Sequence, residues 1–286
     1  MIHIILSIVF STSLFAIFKY FDIYKVKTLQ AIVINYVVAF FLGMFSANTI
    51  SSIGTIGNQP WTEGAFLLGA LFITVFFVMA KTAQYNGVSV ASIAGKMSVV
   101  IPVTFGIILY NESTSISKIA GIAIALLAVY LSSIKETENN KKGNLLFPIL
   151  LFVGSGVIDT TLKYVETNYV SQNDVDFFSG SLFGFAALFG SIVLLIRYFV
   201  FKEKLELKSL YAGLILGIPN YYSIVFLVKA LQNKNFESST LFTINNVGIV
   251  LCSTLLGLLM FKENFSLKNK IGVILAIIGI ILVTIA

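Results

Sequence analysis

Apolar residues run along this chain in blocks of roughly 20 positions, separated by short polar clusters of Lys, Asn, Ser and Gly. A block of that length crosses a bilayer as a helix, because backbone N–H and C=O groups find no partner in lipid except each other. Turn and charge clusters divide the pattern into ten predicted spans: Ile2 to Phe18, Leu29 to Phe45, Gly64 to Ala83, Val88 to Tyr110, Ile116 to Ile134, Leu145 to Leu162, Phe177 to Phe201, Leu210 to Leu231, Ser238 to Phe261 and Leu267 to Ala286. The connections are short, with Ser46 to Glu63 the longest, so no soluble domain is expected.

Composition agrees with that pattern. Hydrophobic residues make up 57% of the chain and charged residues 11%, against roughly 25% charge in soluble domains. With a mean hydropathy of +0.94, a multi-pass protein of the cytoplasmic membrane is expected. The opening MIHIILSIVFSTSLFAIF lacks the basic n-region of a cleavable signal and reads as the first span. Cys252 is the single cysteine, so no intramolecular disulfide can form. The net charge of +6 sits mostly in connecting loops, where it orients a membrane protein and needs no nucleic-acid partner.

The polar stretch KETENNKKGN, Lys135 to Asn144, falls after five spans and divides the chain into similar halves. Residues 1–134 then form a first five-helix repeat, 135–144 a connecting loop and 145–286 a second repeat. Lys19, Lys81 and Glu112 follow one another at intervals of 62 and 31; Lys163, Lys229 and Glu263 do so at 66 and 34. NESTSISKIAGIAIALLAVYL, from Asn111, echoes KENFSLKNKIGVILAIIGIIL, from Lys262, with the same nine-residue step from Glu to Gly. An odd number of spans per half makes equivalent helices run in opposite directions, an inverted-topology repeat of the kind used for alternating access. Pro102 lies ten residues before Glu112, whereas Ser253 occupies the matching place before Glu263, so any proline kink belongs to the fourth span only.

Ten spans in two halves, the segment AKTAQYNGVSVASI after the third span, and a helix ending in Glu with Gly nine residues later resemble the drug/metabolite transporter superfamily, specifically its EamA-type members. VKALQNKNFESSTLF and LLMFKENFSLKNKIG repeat the pattern in the second half. The resemblance covers essentially the whole chain. It implies an all-α integral membrane fold of ten transmembrane helices, and export or import of small metabolites such as amino acids, nucleotide sugars or drugs, without specifying which.

Alternating spans place 14 basic residues on one side of the membrane and 4 on the other, with Lys96 inside. The positive-inside rule puts the richer side in the cytoplasm and both termini outside. The resemblance instead implies cytoplasmic termini, often with a basic tail that this chain lacks. The charge count carries more weight here because its bias is large.

Lys96 stands inside the apolar run from Val88 to Tyr110, roughly 12 Å from one end and 21 Å from the other at about 1.5 Å per residue. Neither surface is within easy reach of its side chain, so it is expected to face a polar cavity or a carboxylate on a neighbouring helix. Asp159, Lys163, Asn220, Tyr221, Asn245 and Asn246 join it as candidate substrate-binding residues, with Tyr222 beside them. Two of these sets follow helix-weakening cues, Gly154 to Gly156 before Asp159, and Gly217 with Pro219 before Asn220. Asp159 and Lys163 share a helix face and can neutralise each other, or Asp159 can pair with Lys96 in one state and with substrate or a proton in another. Asn245 and Asn246 point about 100° apart, so one can bind substrate while the other joins helices. Glu112 and Glu263, at span ends, read as turn, capping or gate groups. With lysines outnumbering carboxylates, the expected solute is anionic or zwitterionic, such as an amino acid.

GSLFG at Gly180 and GLILG at Gly213 have the small-xxx-small spacing that brings membrane helices together, within the bundle or across a homodimer. An intramembrane enzyme is the competing class. His3 is the only histidine and HExxH is absent, so neither metal nor cofactor is expected. Ser92, four before Lys96, offers a Ser-Lys pair as its one nucleophile arrangement.

Overall fold

A computed structural model describes residues 2–46, 50–102, 104–105, 115–133, 145–171, 174–231, 238–264 and 266–285. Ten α-helices account for nearly all of them: α1 (Ile2–Ile23), α2 (Thr28–Ser46), α3 (Thr62–Tyr85), α4 (Val88–Met97), α5 (Ile116–Ser133), α6 (Leu146–Tyr169), α7 (Val175–Phe201), α8 (Leu207–Leu231), α9 (Ser238–Leu259) and α10 (Leu267–Ile285). The long connection after α2 holds a 3-10 helix, Ile50–Asn58. Each expected span has its helix, with ends displaced by at most five residues except in the sixth, which runs on seven residues to Tyr169, and the fourth. Helices α1, α2, α3 and α7, with Leu207–Leu227 of α8, are long and apolar enough to cross a membrane; Val88–Pro102, Ile119–Ser132, Leu146–Leu162 and Ile244–Leu259 are shorter apolar helices.

The fourth span departs from one continuous helix. Regular α-geometry ends at Met97, Ser98 and Val99 form a turn, and helical backbone resumes at Val100. Pro102 explains the position: it has no N–H to give the carbonyl four residues back, Ser98, and its ring crowds that same carbonyl. The Ser98 carbonyl instead accepts from Ile101 N–H at 2.9 Å, one residue short of the α-helical register. The residues beyond Phe105, Glu112 among them, lie outside the described ones.

The chain forms two compact units, each drawing on both sides of the Lys135 to Asn144 stretch: residues 1–20, 78–159 and 223–286 in the first, 21–77 and 160–222 in the second. In the first, α5 and α10 pack along their length, and these are the helices of the Glu-to-Gly echo. A Cβ on Gly272 would lie 2.7 Å from the Ser132 backbone nitrogen, so the echoed glycine is where the two helices approach. Asn269 fastens the same pair by donating to the Ser132 carbonyl at 2.8 Å, while Ser266 and Asn269 cap α10 reciprocally.

In the second unit α2 packs against glycines of α7 and α8. A Cβ on Gly180 would meet the Met44 methyl at 2.4 Å, and one on Gly184 the Phe40 ring at 2.8 Å. Gly213 abuts Ile34 and the Ala31 carbonyl, and Gly217 abuts Val38 and the Asn35 carbonyl. Both small-xxx-small motifs are thus occupied within the chain, and the glycine faces considered for a homodimer are covered by α2. Pro219 lies inside α8, which stays helical on both sides of it, as does α6 through Gly154 to Gly156. Those two cues mark no break; Gly156 instead lets α6 approach Ile101, whose Cδ1 would be 2.3 Å from an added Cβ.

At one end of this unit the α7–α8 connection is tied to α2. Buried Gln30 donates to the Lys204 carbonyl at 3.0 Å and accepts from Glu206 N–H at 3.0 Å. Lys27 pairs with Glu203 and Glu206, and Arg197 with Glu203. Arg197 above all, then Lys27, holds the Glu203 carboxyl below the ordinary carboxylate range.

Candidate functional site

The helix break in the fourth span falls immediately after Lys96, which occupies the last turn of α4 and is half-buried. Ser98 turns its hydroxyl back to the Gly95 carbonyl at 2.6 Å and also donates to Asp159 Oδ2 at 3.1 Å. Asp159 stands near the middle of α6, interacts electrostatically with Lys96, and is exposed in this structure. A cation, a carboxylate, a hydroxyl and loosened backbone therefore converge in the first unit. Asp159 takes Lys96 and Ser98 as partners; the side chain of Lys163 lies outside the described residues.

Helix α9 lies against α4 in the same unit. Ser253 donates to Ser92, and the Ser89 and Thr254 hydroxyls are 3.0 Å apart, all four residues being buried. Asn246 lies two turns before Ser253 on the same face of α9, so by register the polar seam continues toward it, as it does toward Lys96 one turn beyond Ser92. Asn245 is 1% exposed and its Oδ1 has no hydrogen-bond partner among the described residues, an orphaned acceptor in a buried setting. Ser92 itself donates to the Ser89 carbonyl at 2.9 Å, which commits its proton to the backbone rather than to Lys96.

The remaining candidates belong to the second unit. Asn220 and Tyr221 are both buried in α8. Tyr221 meets Tyr222 edge-on at 5.3 Å and packs over Gly43, with Ser46 as the polar neighbour of its hydroxyl. Sequence reasoning missed Ser98, Gln30, Ser89 and Thr254, and it named Ser92 and Ser253 without seeing that they meet. Ser98 had a usable signal, since it stands four residues before Pro102.

Glu263 lies where the echo puts it, after α9, and acts as a cap: its Oε1 accepts from Val88 N–H, the first residue of α4, at 2.8 Å.

The fold has a counterpart among solved structures. A crystal structure titled only as that of a protein matches with a TM-score of 0.61 at 14% identity, covering 99% of this chain and 96% of that one. A Haemophilus influenzae protein described as uncharacterized is 27% identical over 258 residues, 88% of this chain and 86% of its own length. Probable glucose uptake proteins GlcU of Bacillus cereus and Bacillus anthracis are each 24% identical over 263 residues, 89% of this chain and 84% of theirs. Residues 144–285 match the EamA-like transporter family. With its apolar helices and these relatives, the chain is a multi-pass membrane transporter whose residues 144–285 are of the EamA-like transporter family.

Proposed function

We propose that the protein is a secondary carrier of ten spans in the cytoplasmic membrane, built of two inverted five-helix repeats, that moves a small polar solute by alternating access and catalyses no covalent reaction. The observation that supports this most is the Lys96, Ser98, Asp159 group at the helix break. It offers an ammonium and a carboxylate at one level together with freed backbone, a complement to a zwitterion such as an amino acid. Asn245 adds an acceptor with no other duty, and Asn246 extends the proposed lining within the first unit; Asn220, Tyr221 and Lys163 are proposed as substrate contacts on the sequence pattern alone.

A second reading comes from the relatives named for glucose uptake. Amides and hydroxyls dominate the candidate residues, a set that also fits a neutral polyol. Counterflow in proteoliposomes decides between them, with labelled amino acids in one series and labelled D-glucose in the other. The zwitterion reading expects amino-acid exchange that falls at least tenfold in Lys96→Met. Exchange of glucose alone, undiminished in Lys96→Met, would overturn it in favour of the sugar.

A further inference from the structure

The carrier chemistry above leaves Glu263 unused, yet this residue is held more closely than any candidate in the site. Position 87, the N-cap of α4, is glycine at φ 110°, and no side chain there caps the helix. The acceptor comes instead from 175 residues away, where Glu263 Oε1 takes the Val88 N–H. A carboxylate at this end of a helix is favoured by the exposed N–H groups and their aligned dipoles. Glycines on two sides make room for it: a Cβ on Gly87 would lie 2.7 Å from Oε1, and one on Gly257 2.5 Å from Oε2. The Glu263 backbone is itself tied to the end of α9, its N–H donating to the Gly257 carbonyl at 2.9 Å. Any side chain at position 87 or 257 would displace the carboxylate.

Helix α4 is a ten-residue rod with this cap at one end and the Ser98 break at the other, and Lys96 rides in its last turn. Between them the hydroxyl pairs Ser89 with Thr254 and Ser92 with Ser253 continue the closure against α9. We infer that Glu263 is a positioning residue, a latch that holds α4 closed on α9 and so sets where Lys96 stands. A cap fixed within α4 would stay with the helix as it moved. This one is supplied wholly by the α9–α10 connection, so parting of α4 from α9 must break it and expose the first-turn N–H groups. Its meaning for transport rests on the carrier reading, but its test needs no solute.

The test uses the full-length chain in membranes with Cys252→Ser, and Ser92→Cys as a reporter inside the seam. N-ethylmaleimide labelling is expected to be slow with Glu263 present and at least tenfold faster with Glu263→Ala. Ser181→Cys, at a buried position of α7, serves as the control and is expected to keep its rate. An unchanged rate at Ser92→Cys overturns the latch, and so does a parallel rise at both reporters, which would mean general loosening. Should Glu263→Ala fail to fold, Glu263→Gln retains an acceptor without the charge: a threefold or greater rise at Ser92→Cys alone supports the latch, and none overturns it. Failure of solute counterflow would sink the carrier reading while leaving these rates as they are.

Discussion

Replacing Gly43 by alanine tests whether backbone-to-backbone approach holds the second unit together. A Cβ at Gly43 would lie 2.8 Å from Gly180 Cα and 3.4 Å from Gly180 N, where the obstacle is the α7 main chain and has no rotamer to yield. Carbon atoms rest at about 3.5 to 4.0 Å, so α2 and α7 would have to part locally by roughly 1 Å, lifting neighbouring contacts from their wells. Overpacking of this kind costs about 1–3 kcal/mol, from which the better helix propensity of alanine returns up to about 1 kcal/mol. The net expectation is a loss of about 1–2 kcal/mol.

Two further glycines calibrate that figure. At Gly180 the nearest obstacle is the Met44 methyl at 2.4 Å, the far end of a flexible side chain, so Gly180→Ala should lose less than Gly43→Ala. At Gly95 nothing lies within 4 Å, so Gly95→Ala should be neutral or gain. Trp61, the only tryptophan, is buried against Phe177 and Phe178 of α7 and reports on the second unit by fluorescence during denaturation; Gly95→Ala, in the first unit, is the control expected to leave that transition where it is in the parent. The order Gly43→Ala, Gly180→Ala, Gly95→Ala from least to most stable is expected. Gly43→Ala as stable as Gly95→Ala would refute the argument.

Gln30→Ala removes three hydrogen bonds to the α7–α8 connection and leaves the Glu206 N–H without its side-chain acceptor, while the Lys204 carbonyl keeps Lys27 Nζ as a donor, a loss of about 1–3 kcal/mol; trypsin should then cut at Lys202 or Lys204 faster than in the parent. Because the folded Glu203 carboxyl titrates below its ordinary 4.5, its contribution is present above the unfolded value and disappears as acid titrates the folded group. The thermal midpoint should therefore fall more between pH 6 and pH 3 in the parent than in Glu203→Gln, and equal slopes would remove Glu203 from the account. Pro102→Ala supplies the missing N–H to Ser98, so it should raise thermal stability while slowing counterflow, and faster transport would contradict a role for the break.

Much of the architecture was legible because lipid forces length and polarity into one pattern. Each of the ten blocks is helical over most of its described residues, the fourth with a break at Ser98, and the small-xxx-small motifs sit where helices touch, as where Gly213 and Gly217 of α8 meet α2. Glu263 as a capping group also followed from its place after a span. Interhelical partners were not legible, since nothing in Ser89 or Ser92 announces that its neighbours are Thr254 and Ser253, 165 and 161 residues away. Gln30 was passed over for the same reason: its partners are loop backbone, which carries no residue-type signal. Glycine and proline proved ambiguous, because the features that free a backbone also let helices approach. Gly156 and Gly217 do the second, and α8 absorbs Pro219 without interruption.

The difference between the two halves at one position accounts for the contrast between α4 and α9. Ten residues before each span-end glutamate stand Pro102 in the first half and Ser253 in the second. Proline deletes a rung of the α4 ladder, which ends the helix at Met97 and leaves the Ser98 hydroxyl to reach both Gly95 and Asp159. Serine keeps the α9 ladder whole: its hydroxyl bonds the Val250 carbonyl at 3.0 Å and reaches Ser92 across the seam. A symmetric pair of prolines would have broken both helices and removed the α9 hydroxyl that ties α4 down. A symmetric pair of serines would have left α4 continuous past Lys96 and its carbonyls fully engaged. Only the unequal pair sets a broken helix, with Lys96 at its end, against an unbroken one that can hold it.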